Sequence, residues 1–228
     1  MKNSPLKIDL HVHTCYSEDS TITLKEVVYY AKKKGLDGVA ITDHETLRGA
    51  LKLARKSQLT IIPGFEVETK EGHVLALNIT TLIPSNLSLI ETVQKIHDAG
   101  GVAVVAHPAA VLKTGLGRQI TSSSNIDAVE VINSASFPFF LATYLGRRLA
   151  ERLNLPQTAG SDAHHALEIG TAYTLVDADS NATDVAEAIR KGAITPYGKP
   201  ITWTKRVQRG AFYLTKIRRR RYSSKFSI

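Results

Sequence analysis

The chain has 228 residues, 43% of them hydrophobic, and a net charge of +8 at neutral pH. That length fits one large α/β domain with an ample core, since α/β barrels run to about 200–250 residues as single units. No run of about 18 apolar residues offers a membrane span, and no charged start followed by an apolar stretch marks a leader, so a cytoplasmic location is expected.

The single cysteine, Cys15, excludes an internal disulfide and a cysteine-only metal cage. Beside His13 it reads as a small buried side chain rather than a bridging thiolate. The charge is concentrated at one end. Residues 199–228 hold ten Lys or Arg and no acid, which leaves residues 1–198 at −2. A body of 1–198 and a basic C-terminal tail of 199–228 are expected.

In chain order, a strand over residues 7–10 runs into His11-Val12-His13, with Glu18 and Asp19 shortly after. Residues two apart on a strand face the same way, so His11 and His13 can hold one metal ion between them. Helical spacing follows over 24–34, with Gly35 at the expected C-cap, then a strand over 38–42 ending in Thr42-Asp43-His44. A helix over 47–56 leads to a strand over 60–62 and Pro63-Gly64-Phe65-Glu66. His73 opens a strand over 74–79, a helix over 89–99 stops at Gly100, and a strand over 102–106 closes on His107-Pro108. The remaining elements are strands over 128–132, 157–159 and 172–176 and helices over 139–153 and 182–191. Ser161-Asp162-Ala163-His164 follows the strand over 157–159.

Strand and helix in strict turn imply a parallel sheet or barrel. The polar residues that break the apolar pattern fall at strand ends, which in a parallel α/β barrel meet at one mouth. Six of the eight histidines take part. Any one of them is ordinarily a capping or hydrogen-bonded residue. Together they would bury several charges at a cost of several kcal/mol each, on the order given for buried ions, unless divalent metals compensate. Nitrogen and carboxylate donors without sulfur suit Zn, Mn or Fe, and there are more of them than one ion needs.

His11-x-His13, Thr42-Asp43-His44, Pro63-Gly-Phe-Glu66, Ala106-His107-Pro108 and Gly160-Ser-Asp162-Ala-His164 resemble the ordered motifs of the polymerase and histidinol phosphatase (PHP) family of metal-dependent phosphoesterases. The resemblance spans about residues 6–198 and rests on the order of five motifs. It implies a distorted (β/α)7 barrel with two to three divalent ions at its mouth. It also implies three ligand sets. His11, His13, Glu66 and Asp162 would hold one ion; Glu66 would bridge to a second held by His73 and His107; Asp19, His44 and His164 would hold a third. The Ser-x-Asp-Ser spelling favours Asp19 over Glu18, and His73 is either a ligand or a contact to substrate phosphate. Asp162, Glu66 and His164 stand nearest the chemistry, and Asp43 reads as accepting a ring hydrogen from a neighbouring histidine. Two close cations can share a water, lower its pKa towards about 7 and aim the hydroxide at phosphorus.

Arg118, after two glycines, is the candidate phosphate clamp. Arg147 and Arg148 share a helix with Glu151 and read as a solvated, charge-paired face; His97 and His165 are given no role. In the tail, Trp203, Phe212, Tyr213, Tyr222 and Phe226 interleave with cations, as in segments that follow a nucleic-acid backbone and stack on bases. An anionic membrane surface, a partner protein or plain solubilisation would also fit. The motif spacing is similar to the stand-alone branch acting on 3′,5′-bisphosphorylated nucleotides or trimming RNA or DNA from the 5′ end, so a nucleotide or short oligonucleotide is the expected substrate. The alternatives are a small-metabolite phosphatase of the histidinol-phosphate type, a nucleic-acid-binding accessory module, and an amidohydrolase. That last class usually has a bridging lysine where this chain has Glu66.

Overall fold

The computed structural model describes residues 4–108, 120–121, 124–207 and 209. The elements are β1 (Leu6–Val12), α1 (Leu24–Lys33), β2 (Gly38–Ile41), α2 (Arg48–Ala54), β3 (Thr60–Glu68), β4 (His73–Leu77), α3 (Leu89–Asp98), β5 (Val102–Val105), β6 (Ala128–Asn133), α4 (Phe139–Leu153), β7 (Gln157–Gly160), β8 (Ala172–Val176), α5 (Ala182–Lys191) and β9 (Ile194–Gly198).

Local chemistry starts and stops the helices. Thr23 and Glu26 form a reciprocal capping box on α1, Ser88 and Glu91 do the same on α3, and Asn181 caps α5. These helices follow the apolar spacing to within a residue or two of expectation.

The strands form one sheet in the order β7-β6-β5-β4-β3-β2-β1-β8-β9. It curls into a nearly closed barrel because β1 is shared. Its first half pairs antiparallel with β8, and its second half takes the segment after β7, where the His13 amide donates to Ala163 O at 3.0 Å and the Asp162 amide to His11 O at 2.8 Å. The buried Thr174 hydroxyl closes the remaining gap, donating to Ala159 O at 3.0 Å and accepting from the Ala159 amide at 2.8 Å.

The sheet departs from all-parallel expectation. β4 is antiparallel to both β3 and β5, because a tight turn rather than a helix joins Glu68 to His73. β3 runs on to Glu68, so Glu66 lies within a strand rather than after one. β9 was not expected, since Pro196 and Gly198 mask an edge strand of the kind that tolerates them. Cys15, expected to be buried, is exposed; the turn after His13 carries it outward, its amide donating to Ile22 O at 2.8 Å.

Ile8, Leu10, Ile62, Leu75, Leu77, Val102, Val104 and Val176 form an inner core with Val185 and Ile189 of α5. Ile8, Leu77, Val102 and Val176 lie at the strand ends remote from His11 and Glu66, so α5 stops the far end of the barrel. No helix among the described residues is long and apolar enough to cross a membrane.

Candidate metal centre

A register shift in β1 between Asp9 and Val12 sets the orientation of the first two histidines. Leu10 belongs to the inner core but Val12 to the outer layer under α1 and α2, so the bulge brings His11 and His13 inward past it. Glu66 shares an inward face with Ile62, and His73 shares one with Leu75. Since β4 runs antiparallel, its first residue reaches the same mouth as the C-terminal ends of the parallel strands. His44 bridges to Glu66 after β2, and His107, Asp162 and His164 follow β5 and β7.

Glu66, 2% exposed, is the hub. Its Oε1 lies 2.8 Å from His73 Nδ1 and 3.0 Å from His107 Nε2. Its Oε2 lies 3.4 Å from His11 Nε2, 3.3 Å from His13 Nε2 and 3.5 Å from His44 Nδ1. Asp162 Oδ1 approaches His13 Nε2 at 3.4 Å and His164 Nδ1 at 3.3 Å. Asp19 Oδ2 sits 2.7 Å from His164 Nε2 and 3.2 Å from His44 Nε2. The structure therefore gathers His11, His13, Asp19, His44, Glu66, His73, His107, Asp162 and His164 into overlapping donor groups. Glu18 is exposed.

Burial alone would raise the Glu66 carboxyl, yet the His11 charge and hydrogen bonds from His107, His11 and His13 hold it well below the ordinary range. Asp162 is likewise held low against its burial, by His11 and His13 above all. Burial would lower His13, but Asp162 and Glu66 raise it to about 9.

These donors fit divalent ions. His11 Nε2 and His13 Nε2 are 3.1 Å apart, with Glu66 beside both. Two imidazole lone pairs that close need a proton or a cation between them. Asp19 Oδ1 is buried with no hydrogen-bond partner. Imidazole nitrogens and carboxylate oxygens are the donors that Zn, Mn and Fe accept.

Several surrounding residues were not anticipated. Glu130, buried on β6, accepts from His11 Nδ1 at 2.9 Å, leaving Nε2 to face the centre; its other oxygen accepts from the His107 amide at 2.9 Å and from Asn133 at 3.0 Å. Asn133 also reaches Asp162 Oδ2 at 3.3 Å. Asp9 accepts from the amides of Ser161 and Gly170 at 2.9 and 2.8 Å, and burial pushes its carboxyl up to about 6. The available signal was an acid inside an apolar strand, in Lys-Ile-Asp9-Leu and Ala-Val-Glu130-Val. His107 and Asp162 hold left-handed φ values of 31° and 52°, and the bonds their amides donate to the Glu130 carboxylate and to His11 O fix those conformations. Gly160 lets β7 pass close to β1; a Cβ there would collide with that of His11 and come within 2.7 Å of Glu130 Oε1.

Asp43 was expected to accept a ring hydrogen from histidine. It instead accepts from the Thr14 amide and, at 2.7 Å, from the Thr14 hydroxyl, because the chain turns at Thr14 and presents both donors to it. His97 binds Asp127 at 2.8 Å and His165 caps a short 3-10 turn. Arg148 pairs with Glu151 at 3.3 Å on an exposed face. Arg118 and the aromatics Phe212, Tyr213, Tyr222 and Phe226 lie outside the described residues. Trp203 is exposed and packs edge-on to Phe137 at 5.5 Å. Arg209 reaches the centre, its Nη2 lying 2.6 Å from His164 Nδ1.

Comparison with known proteins agrees with this geometry. Residues 9–144 match the model of the PHP domain and residues 142–194 that of a PHP-associated region. The chain belongs to the PHP family and is a hydrolase of the metal-dependent phosphoesterase class, acting on phosphoester bonds. It is 37% identical over 142 residues to an uncharacterised protein of Methanocaldococcus jannaschii, a match covering 57% of this chain and 82% of that one. A 5′-3′ exoribonuclease of Haemophilus influenzae is 29% identical over 105 residues, which cover 43% of this chain and 38% of that protein. Among solved structures, a two-domain protein of Bacteroides vulgatus described as containing a predicted PHP-like metal-dependent phosphoesterase superposes with a TM-score of 0.68 at 16% identity, covering 87% of this chain and 69% of that one.

Proposed function

We propose that this chain hydrolyses phosphate esters of nucleotides or short oligonucleotides at a centre of two to three divalent ions (Mn, Zn or Fe). The observation that carries the reading is the convergence of five imidazoles on one buried carboxylate, Glu66. His11, His13, Glu66 and Asp162 would hold one ion, Glu66, His73 and His107 a second, and Asp19, His44 and His164 a third. Ions bound there would supply Lewis acidity for attack by water on phosphorus and for the charge on the phosphate oxygens.

The protein's own residues fix the donors. Glu130 takes the Nδ1 proton of His11 and so aims Nε2 at the centre, and Asn133 steadies Asp162. In this reading Asp162, Glu66 and His164 act nearest the phosphate, and His73, a third exposed at the rim, is a further contact to it. A nucleotide substrate is supported by the basic C-terminal segment that begins at this mouth, with Lys205, Arg206 and Arg209 turned towards the barrel and Trp203 exposed beside it. The likeness to an exoribonuclease points the same way. We place the enzyme in the cytoplasm, with residues 1–198 as catalytic body and 199–228 as a basic segment that contacts nucleic acid.

The test is product release from a 3′,5′-bisphosphorylated nucleotide, a short 5′-phosphorylated oligonucleotide and histidinol phosphate, using metal-stripped protein resupplied with Mn or Zn. Metal-dependent turnover of either nucleotide substrate is expected. Turnover of histidinol phosphate alone would replace the nucleotide reading with a small-metabolite phosphatase.

A further inference from the structure

We infer that Arg209 is a phosphate-binding residue, carried to the edge of the metal centre by the C-terminal segment. The inference rests on the phosphoesterase reading above and assigns a role to a residue beyond both matched family regions, the later of which ends at residue 194.

The segment is fastened before it reaches the centre. Ile201 is buried and its amide donates to Ser134 O at 3.1 Å. Lys205 Nζ donates to Leu167 O at 2.7 Å, and the two Nη groups of Arg206 donate to Ala135 O and Ser136 O at 3.0 and 2.8 Å. Residues 203–207 are helical, and Arg206 and Arg209, three apart, lie on one side of that turn. Trp203 and Val207, four apart, face solvent at 70% and 68% exposure. Cations turned inward and apolar side chains outward reverse what solvation alone would produce.

Carbonyl oxygens account for Lys205 and Arg206. Arg209 instead meets the ligand set, with Nη2 at 2.6 Å from His164 Nδ1 and 4.0 Å from Asp162 Oδ1, and Nη1 at 3.5 Å from Asp162 O. Once those same side chains hold divalent ions, a guanidinium at that distance faces like charge. An anion bound by the ions and the guanidinium together resolves the repulsion. Phosphate suits the place because it offers oxygens to the ions and to the planar guanidinium fork together.

The experiment titrates the metal-loaded full chain with inorganic phosphate by calorimetry, alongside KM and kcat for p-nitrophenyl phosphate and bound metal by atomic emission. Arg209→Ala is expected to weaken phosphate binding at least tenfold and to raise KM by a similar factor, with bound metal and melting temperature unchanged. Arg209→Lys should recover part of the loss, since it restores charge without the fork. Unchanged affinity and KM in Arg209→Ala would overturn the assignment, as would loss of metal in step with loss of phosphate. If phosphate binding depends on Arg209 while no nucleotide is hydrolysed, the nucleotide reading fails and the assignment stands. If wild type and Arg209→Ala hydrolyse nucleotides with equal KM, the assignment fails and the nucleotide reading stands.

Discussion

Glu66 concentrates the electrostatics of the molecule. A carboxylate with 2% exposure is tolerable only with strong compensation, and five histidines supply it from two sides. Glu66→Gln keeps the shape but removes the charge, so it should lower turnover by orders of magnitude and reduce bound metal while the far-ultraviolet dichroism stays native. Wild-type turnover in that variant would remove Glu66 from the centre. Glu130→Gln should be milder, costing about 10–100-fold in metal affinity, because it loosens the aim of His11 without removing a donor. Equilibrium metal titration separates the two.

Much of the centre was legible one residue at a time. His11-x-His13 and the polar groups after the strands announced themselves because nothing in an apolar pattern explains them. Glu130 and Asp9 were hidden by the strands that carry them, although a buried acid in a β-branched run is itself a signal. Arg209 gave none: its position depends on the path of the whole C-terminal segment, which no local pattern encodes.

At the scale of elements, the helices could be read because a capping box and a 3.6-residue period mark start, face and stop. Strand direction could not. A period of two looks the same in both senses, so β4 read as one more parallel strand, and only the short turn to His73 distinguishes it. That reversal has a chemical consequence, since it places the first residue of β4 rather than its last at the mouth. Contact between β7 and β1 is equally local. Gly160→Ala should force His11 and Glu130 apart and destabilise the fold by about 1–3 kcal/mol, the usual range for overpacking. Urea unfolding would read this as a lower midpoint at constant slope, and an unchanged midpoint would mean that β7 can move away from β1 freely.

For the whole molecule, the barrel separates two tasks. α5 and the inner core stop one end, and the ligand cluster occupies the other, joining side chains from β1, β3 and β4 with those of loops after β2, β5 and β7. Ions held by residues so far apart in sequence bind the folded chain and not the unfolded one. Free metal at a hundred times its dissociation constant should then stabilise the protein by about 2.7 kcal/mol, seen as a higher melting temperature that chelation reverses. The proposed nucleic-acid contact of the basic segment has its own test. Removing residues 210–228 should weaken oligonucleotide binding and flatten its salt dependence, by about 0.7 in log–log slope per lost single-strand phosphate contact, while hydrolysis of a small phosphate ester persists. Equal loss of both would make the segment part of the fold.

The most direct measurement is stepwise return of Mn or Zn to the stripped protein, with bound metal and phosphate release followed together in wild type and Glu66→Gln. Wild-type activity should rise with occupancy and level off at two or three ions per chain, and Glu66→Gln should remain inactive at every metal concentration. Activity that survives stripping, or that returns equally in Glu66→Gln, would contradict a hydrolytic metal centre built around Glu66.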